Sequence, residues 1–168
     1  MTTSPQELSP EQRHKIYQFL KEHPVGVLAT VDPQGDPHAS TIFFSVDDQL
    51  NITFTTKRGT EKHANIVNHA TVMLASYDAA NQAAAQASGK AVEITDQQEV
   101  LDVFRGTLQA SQKTGEDEVP PIAKISAGPY VAYKLTPDNI WLNEYGHGSS
   151  FTKALKHATD PESNQDPA

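Results

Sequence analysis

The sequence predicts a mainly β domain (α+β), a six- to seven-stranded antiparallel barrel with flanking helices. Three observations lead there. Short segments alternate apolar with polar residues, as Leu50, Ile52 and Phe54 do with Asn51, Thr53 and Thr55, which is the period of a half-buried strand. Turn-forming clusters such as Asp32-Pro33-Gln34-Gly35-Asp36 and Asp47-Asp48 separate these segments at hairpin spacing. Hairpins dominate the first half, whereas a doubly wound sheet would need strands and helices to alternate.

The elements follow in order. Ser9-Pro10-Glu11-Gln12 is a helix start, with Ser at the N-cap, Pro at N1 and Gln at N3. Ile16, Phe19 and Leu20 make one apolar stripe, and Pro24 ends the helix. Strands are expected at 25–31, 37–46 and 50–56, then a helix capped by Thr60 and running to about Asn68, then a strand at 71–77. Residues 79–86 are Ala-rich and helix-compatible by propensity, but their second half reads as one strand with Gly89-Lys-Ala-Val-Glu-Ile94. Thr95 or Asp96 caps a helix carrying Val100, Leu101, Val103, Phe104 and Leu108 and stopping near Gly115. An acidic, proline-containing loop covers 116–121. A final pair of strands, 130–135 and 139–145, is expected around Thr136-Pro137-Asp138. Residues 9–155 read as a single domain, between a flexible start at 1–8 and a flexible tail at 156–168.

Composition narrows the function. The chain has 168 residues and a net charge of −8, which argues against nucleic acid as a partner, because phosphate backbones are bound by a surplus of Lys and Arg. Mean hydropathy is −0.52 and no run approaches the roughly 20 apolar residues of a spanning helix, so no membrane role is expected. The first residues show no basic region followed by an apolar stretch, so a cytoplasmic location is expected. There is no cysteine and hence no thiol chemistry. The seven histidines show no metal-ligand spacing, and no metal is expected.

One local feature stands against this acidic background. Between a strand and the helix start at Thr60 lie Thr55, Thr56, Lys57, Arg58, Thr60 and Lys62. Hydroxyls and cations there join free backbone N–H groups and a favourable helix dipole, a setting that suits a phosphate. Each residue also has an ordinary reading: Thr60 as a cap, Thr55 and Thr56 as strand residues, Lys57, Arg58 and Lys62 as solvated cations.

The order of these pieces resembles the pyridoxamine 5′-phosphate oxidase-like, FMN-binding split-barrel superfamily over roughly residues 12–145. The matching segments are Val25-Gly-Val-Leu-Ala-Thr-Val-Asp-Pro-Gln-Gly-Asp-Pro37, Ala39-Ser-Thr-Ile-Phe-Phe44, Phe54-Thr-Thr-x-x-x-Thr-x-Lys-x-x-Asn-Ile66 and Gly89-Lys-Ala91. The resemblance implies that Thr56 and Thr60 donate hydroxyls to an FMN phosphate, that Lys62 neutralises it, and that Lys57 and Arg58 support it. It implies that Ser40, Thr41 and Ile42 lie along the flavin and ribityl chain. It implies a homodimer with cofactor sites at the interface, where Trp141 reaches a flavin held mainly by the partner chain. Ser40 and Ser45 stand where the family's name-giving oxidase has cations, Glu61 stands where it has a second cation beside the lysine, and no arginine follows Arg105. The resemblance therefore points to an FMN-dependent oxidoreductase acting on a small organic substrate, other than that oxidase itself. Superfamily relatives that use a deazaflavin, biliverdin or haem supply the alternative, a non-catalytic flavin-, deazaflavin- or haem-binding dimer.

Overall fold

The structure, a computed structural model, describes residues 7–113, 128–145 and 149–153. The expected 116–121 loop, the tail and most of the flexible N-terminus lie outside these residues. The elements are α1 (Pro10–Glu22), β1 (Val25–Val31), β2 (Pro37–Val46), β3 (Ile52–Lys57), α2 (Glu61–Asn68), β4 (Thr71–Asp78), β5 (Ala83–Ile94), α3 (Gln97–Gln112), β6 (Tyr130–Glu144) and β7 (Ser149–Lys153).

Every strand pairing is antiparallel, in the order β3-β2-β1-β4-β5-β6-β7. A further pairing of β3 with β6, from Ile52 opposite Leu135 to Lys57 opposite Tyr130, closes six strands into a barrel. β7 adds to the later part of β6, with Ile140 opposite Lys153. Thus β6 gives its first half to β3 and its second half to β7, while β5 runs along its other edge.

The alternation seen in the sequence sets the interior. Leu28, Phe44, Leu50, Ile52, Phe54, Leu135 and Ile140 have no exposed surface. β5 contributes Ala83, Ala85, Ala87 and Ala91 to the buried set, and small side chains let this wall sit close to its neighbours. That explains why the Ala-rich segment is a strand: its alternate residues complete a core, and tertiary packing overrides helix propensity.

The helices occupy distinct places. α1 starts with the expected capping box, Gln12 N–H donating to Ser9 Oγ while Ser9 N–H donates to Gln12 Oε1, and it buries Ile16 and Leu20 against the barrel core. α2 buries Ile66 in the same core, and its Asn65 Nδ2 donates to the buried Thr30 Oγ1 at 3.1 Å. α3, capped by Asp96, lies outside the β2–β3–β6 wall, where Val103 meets Ile94 and Ala132.

The expected final hairpin is a correction. Thr136-Pro137-Asp138 is not a turn between two strands but an irregularity inside the single fifteen-residue β6. Opposite it the register shifts between Ser88 and Gly89, with Ser88 facing Asn139 and Gly89 facing Pro137, so Asp138 is an extra residue in β6. Turn-forming residues and bulge-forming residues look alike locally; the long partner β5 decides between them. A Cβ at Gly89 would lie 2.2 Å from the Thr136 carbonyl oxygen, so the close approach requires glycine. Gly89→Ala is expected to destabilise the fold by about 1–3 kcal/mol, because the bulge must move away from β5. Urea unfolding followed by circular dichroism measures it.

Candidate functional site

At one end of the barrel the chain leaves β3, crosses Arg58-Gly59 and starts α2. The local fold follows from one hydroxyl. Thr60 is extended, its Oγ1 donates to the Lys57 carbonyl at 2.7 Å and accepts the His63 N–H at 3.3 Å. Thr56 Oγ1 lies 3.0 Å from Thr60 Oγ1. Because the Thr60 proton goes to Lys57, Thr56 is the donor in that contact. In this arrangement both hydroxyl protons are used within the protein.

Strand alternation separates the predicted cluster. Ile52, Phe54 and Thr56 belong to one face of β3, and Thr53, Thr55 and Lys57 to the other. Thr55 is buried and its Oγ1 finds no hydrogen-bond partner among the described residues. Lys57 is 9% exposed, with its ammonium 4.8 Å from the centre of the Tyr130 ring, which packs edge-on against Phe104 of α3. Arg58 pairs with Glu93 of β5. Lys62, in the first turn of α2, is half-buried and makes no ion pair or hydrogen bond among the described residues. Burial brings its ammonium down to about 8. Its neighbours in that turn present main-chain amides with no intrahelical acceptor. An unpaired, partly desolvated ammonium beside free amides is an electrostatic setting for an anion.

Around this centre the same barrel end gathers polar groups that strand and helix patterns do not reveal. The Tyr133 hydroxyl lies 2.8 Å from His63 Nδ1, and burial, with a smaller contribution from Glu93, pushes it up to about 12. His38 sits between two carboxylates, Nε2 at 3.3 Å from Asp32 Oδ2 and Nδ1 at 3.3 Å from Glu61 Oε1. The β1–β2 register sets His38 opposite Thr30, which accepts from Asn65 of α2, so His38 and α2 share an end of the barrel.

The remaining candidates spread out. Ile42 is buried in the core, Ser40 is half-buried, and Thr41 is exposed on the outer face of β2. Trp141 lies on the same outer face: Thr41 is opposite Val27, Val27 opposite Ala75, Ala75 opposite Gln86, and Gln86 opposite Trp141. Along the curved sheet four strand spacings lie between the two, an arc of roughly 19 Å. The outer face between them is apolar and bare, with Val27 44%, Met73 38% and Tyr77 60% exposed. No helix among the described residues is long and apolar enough to cross a membrane.

A closed six-stranded antiparallel barrel with helices outside it defines a split-barrel protein. The sequence profile of pyridoxamine 5′-phosphate oxidase matches residues 13–144, and the chain belongs to that family. No curated protein matches the sequence. Among solved structures, general stress protein 26 from Bacillus anthracis is similar at a TM-score of 0.59 and 22% identity, over 77% of this chain and 92% of that one. A pyridoxamine 5′-phosphate oxidase-related, FMN-binding protein from Nostoc punctiforme is similar at 0.52 and 16%, over 83% and 87%. A haem-binding protein from Mycobacterium smegmatis is similar at 0.65 and 17%, over 88% of this chain and 60% of that one. At these identities the likeness is one of fold.

Two outcomes are expected. Thr60→Ala removes a helix cap and strands the buried Thr56 hydroxyl, costing about 1–3 kcal/mol in chemical unfolding. Lys62 holds its proton less tightly when folded than at its ordinary value of 10.5. Between about pH 8 and 10.5 the unfolded chain therefore binds more protons, and stability rises with pH across that window, levelling off on either side. Lys62→Met flattens this segment of the stability–pH curve.

Proposed function

We propose that the protein is an FMN-binding oxidoreductase that works as a homodimer on a small organic substrate. The observation that carries this reading is Lys62, a half-buried ammonium at the start of α2 with no partner among the described residues. Around it, the residues present fit a phosphate monoester. The Glu61 and Lys62 amides and the Lys62 ammonium supply the donors, and Thr56 and Thr60 fix the loop that presents them. Thr55, Lys57 and Arg58 then act as supports of that loop from the α3 side and from β5, while Ser40, Thr41 and Ile42 line the approach along β2. When bound, FMN supplies two-electron chemistry, and the protein supplies binding, orientation and exclusion of water. Membership of the family and the fold shared with the Nostoc FMN-binding protein support the choice of cofactor.

The bare face of β1 and β4 supports the dimer. Val27, Met73 and Tyr77 would lose water against a second copy, and a two-fold arrangement would bring Trp141 of one protomer toward Thr41 of the other. An acidic soluble dimer working on small molecules in the cytoplasm agrees with a charge of −8, which disfavours nucleic acid. The fold shared with the M. smegmatis haem-binding protein favours a second reading, a non-catalytic carrier of haem, flavin or deazaflavin.

The visible spectrum of the purified protein, with and without added FMN, separates these readings: retained flavin bands support the first, a Soret band the second. In the FMN-loaded case Lys62→Ala weakens affinity more than tenfold, the loss of one charge-assisted contact of about 1.5–3 kcal/mol. Unchanged affinity would place the phosphate elsewhere, and a monomer in sedimentation at micromolar concentration would remove the shared-site arrangement.

A further inference from the structure

α3 is joined to the barrel differently from the other two helices. α1 gives Ile16 and Leu20 to the barrel core and α2 gives Ile66, whereas α3 contributes no residue to it. Its apolar contacts form a separate, smaller cluster, in which Val103 and the partly buried Val100 meet Ile94 and Ala132. Phe104 adds an edge-on contact with Tyr130, ring centres 5.0 Å apart. The two ends of the helix are tied by polar contacts in reach of solvent. Lys134 Nζ donates to Glu99 Oε1 at 2.6 Å, with side chains 39% and 42% exposed. Lys113 Nζ, just past the helix, donates to the Lys21 carbonyl of α1 at 3.2 Å. Exposed ties of this kind hold weakly.

Between these ends the seam is polar, and it does not satisfy itself. Thr107 and Ser111 are buried, yet their hydroxyls donate to the Val103 and Leu108 carbonyls of α3 itself. A hydroxyl has one proton to give, so neither donates to the wall beneath. On that wall Thr55 stands opposite Ala132, the residue that Val103 meets. Thr55 is 4% exposed, and its Oγ1 has no partner among the described residues. A buried hydroxyl in this state has lost its water and gained nothing in exchange. Closing α3 over β3 therefore carries a cost that opening returns. Gly106, in the middle of α3, weakens the helix further. A Cβ there would lie 2.6 Å from Ser45 Oγ, so the close seat on β2 is bought with a residue of poor helix propensity. Sixteen such residues are marginal as a helix once their packing is gone.

We propose that α3 is a cover that detaches and unravels as one unit while the six-stranded barrel stays closed, baring Ser45 and Thr55 on the outer side of β2 and β3. Little apolar surface is released by this motion, and the uncovered hydroxyls are wetted. The cover gives a small polar molecule a route to a part of the wall that the closed form buries. The inference stands apart from the FMN reading and is tested without any ligand.

Native-state hydrogen exchange on the full-length protein, read amide by amide by NMR, is the test. The α3 amides are expected to exchange about a hundredfold faster than those of the β3–β6 ladder, with a shallower urea dependence because less surface is exposed. Two conservative variants decide the mechanism, and thermal melts confirm that both fold. Ile140→Val thins the barrel core in the second half of β6. It is expected to speed exchange in the ladder severalfold and to leave α3 unchanged, because the barrel is intact when α3 is open. Thr55→Val keeps the shape of the side chain and removes the unpaired hydroxyl. It is expected to slow α3 exchange about tenfold. Exchange in α3 as slow as in the ladder, equal acceleration of both by Ile140→Val, or no change in α3 from Thr55→Val would each overturn the proposal.

Discussion

The pairing of β3 with β6 is the constraint on which the rest of the molecule depends. It joins the two ends of the strand order and leaves no open edge between them, so the inward residues of six strands share one core. Without it, Phe54 would lose the stacked Tyr133, whose ring centre lies 5.6 Å away, and Ile52 would lose Leu135 across the ladder. The pairing depends in turn on β6 being one strand. The bulge at Asp138 bends β6 so that its first half can close the barrel while its second half still follows β5.

The position of the candidate site is a by-product of that closure. β3 stops at Lys57 where it runs out of barrel, and the chain must turn within two residues to lay α2 over the opening. Apolar residues cannot satisfy the exposed amides at such a turn; Thr60 does so from its own side chain, with Thr56 behind it. Lys62 follows where the helix begins, too close to the barrel to stay fully hydrated and with no acid paired to it among the described residues. Glu61, its neighbour in the chain, lies 3.3 Å from His38 Nδ1 instead.

Much of this was legible in the sequence, for identifiable reasons. The early hairpins announce themselves through period-two alternation and Asp-rich turns, and Ser9, Thr60 and Asp96 each cap the helix their position suggests. The family resemblance rests on the same local segments. What escaped was decided by partners distant in sequence. Thr136-Pro137-Asp138 reads as a turn until Gly89 lies opposite it. The run from Thr55 to Lys62 reads as one cluster, yet the strand sends Thr55 and Lys57 to the α3 side and Thr56 to the other. His38 is one of seven scattered histidines until the hairpin register brings it beneath α2. Thr41 and Trp141 lie four strands apart along the sheet, which only the full set of registers reveals.

The closing seam also has a temporal meaning. Thr136 Oγ1 donates to Asn51 Oδ1 across 85 residues of chain, whereas β1 with β2, β2 with β3, and β4 with β5 are neighbours that can zip from short turns. Loop-closure entropy must be met before that distant pairing gives anything back, which places the molecule among slow folders dominated by non-local contacts. Until β6 arrives, the β3 edge and the Ala-rich β5 edge stand open to any other strand in solution. The two edges most exposed to misassembly are therefore the ones that β6 covers when it closes the barrel. A nascent chain must finish β6 before the barrel can close over its core.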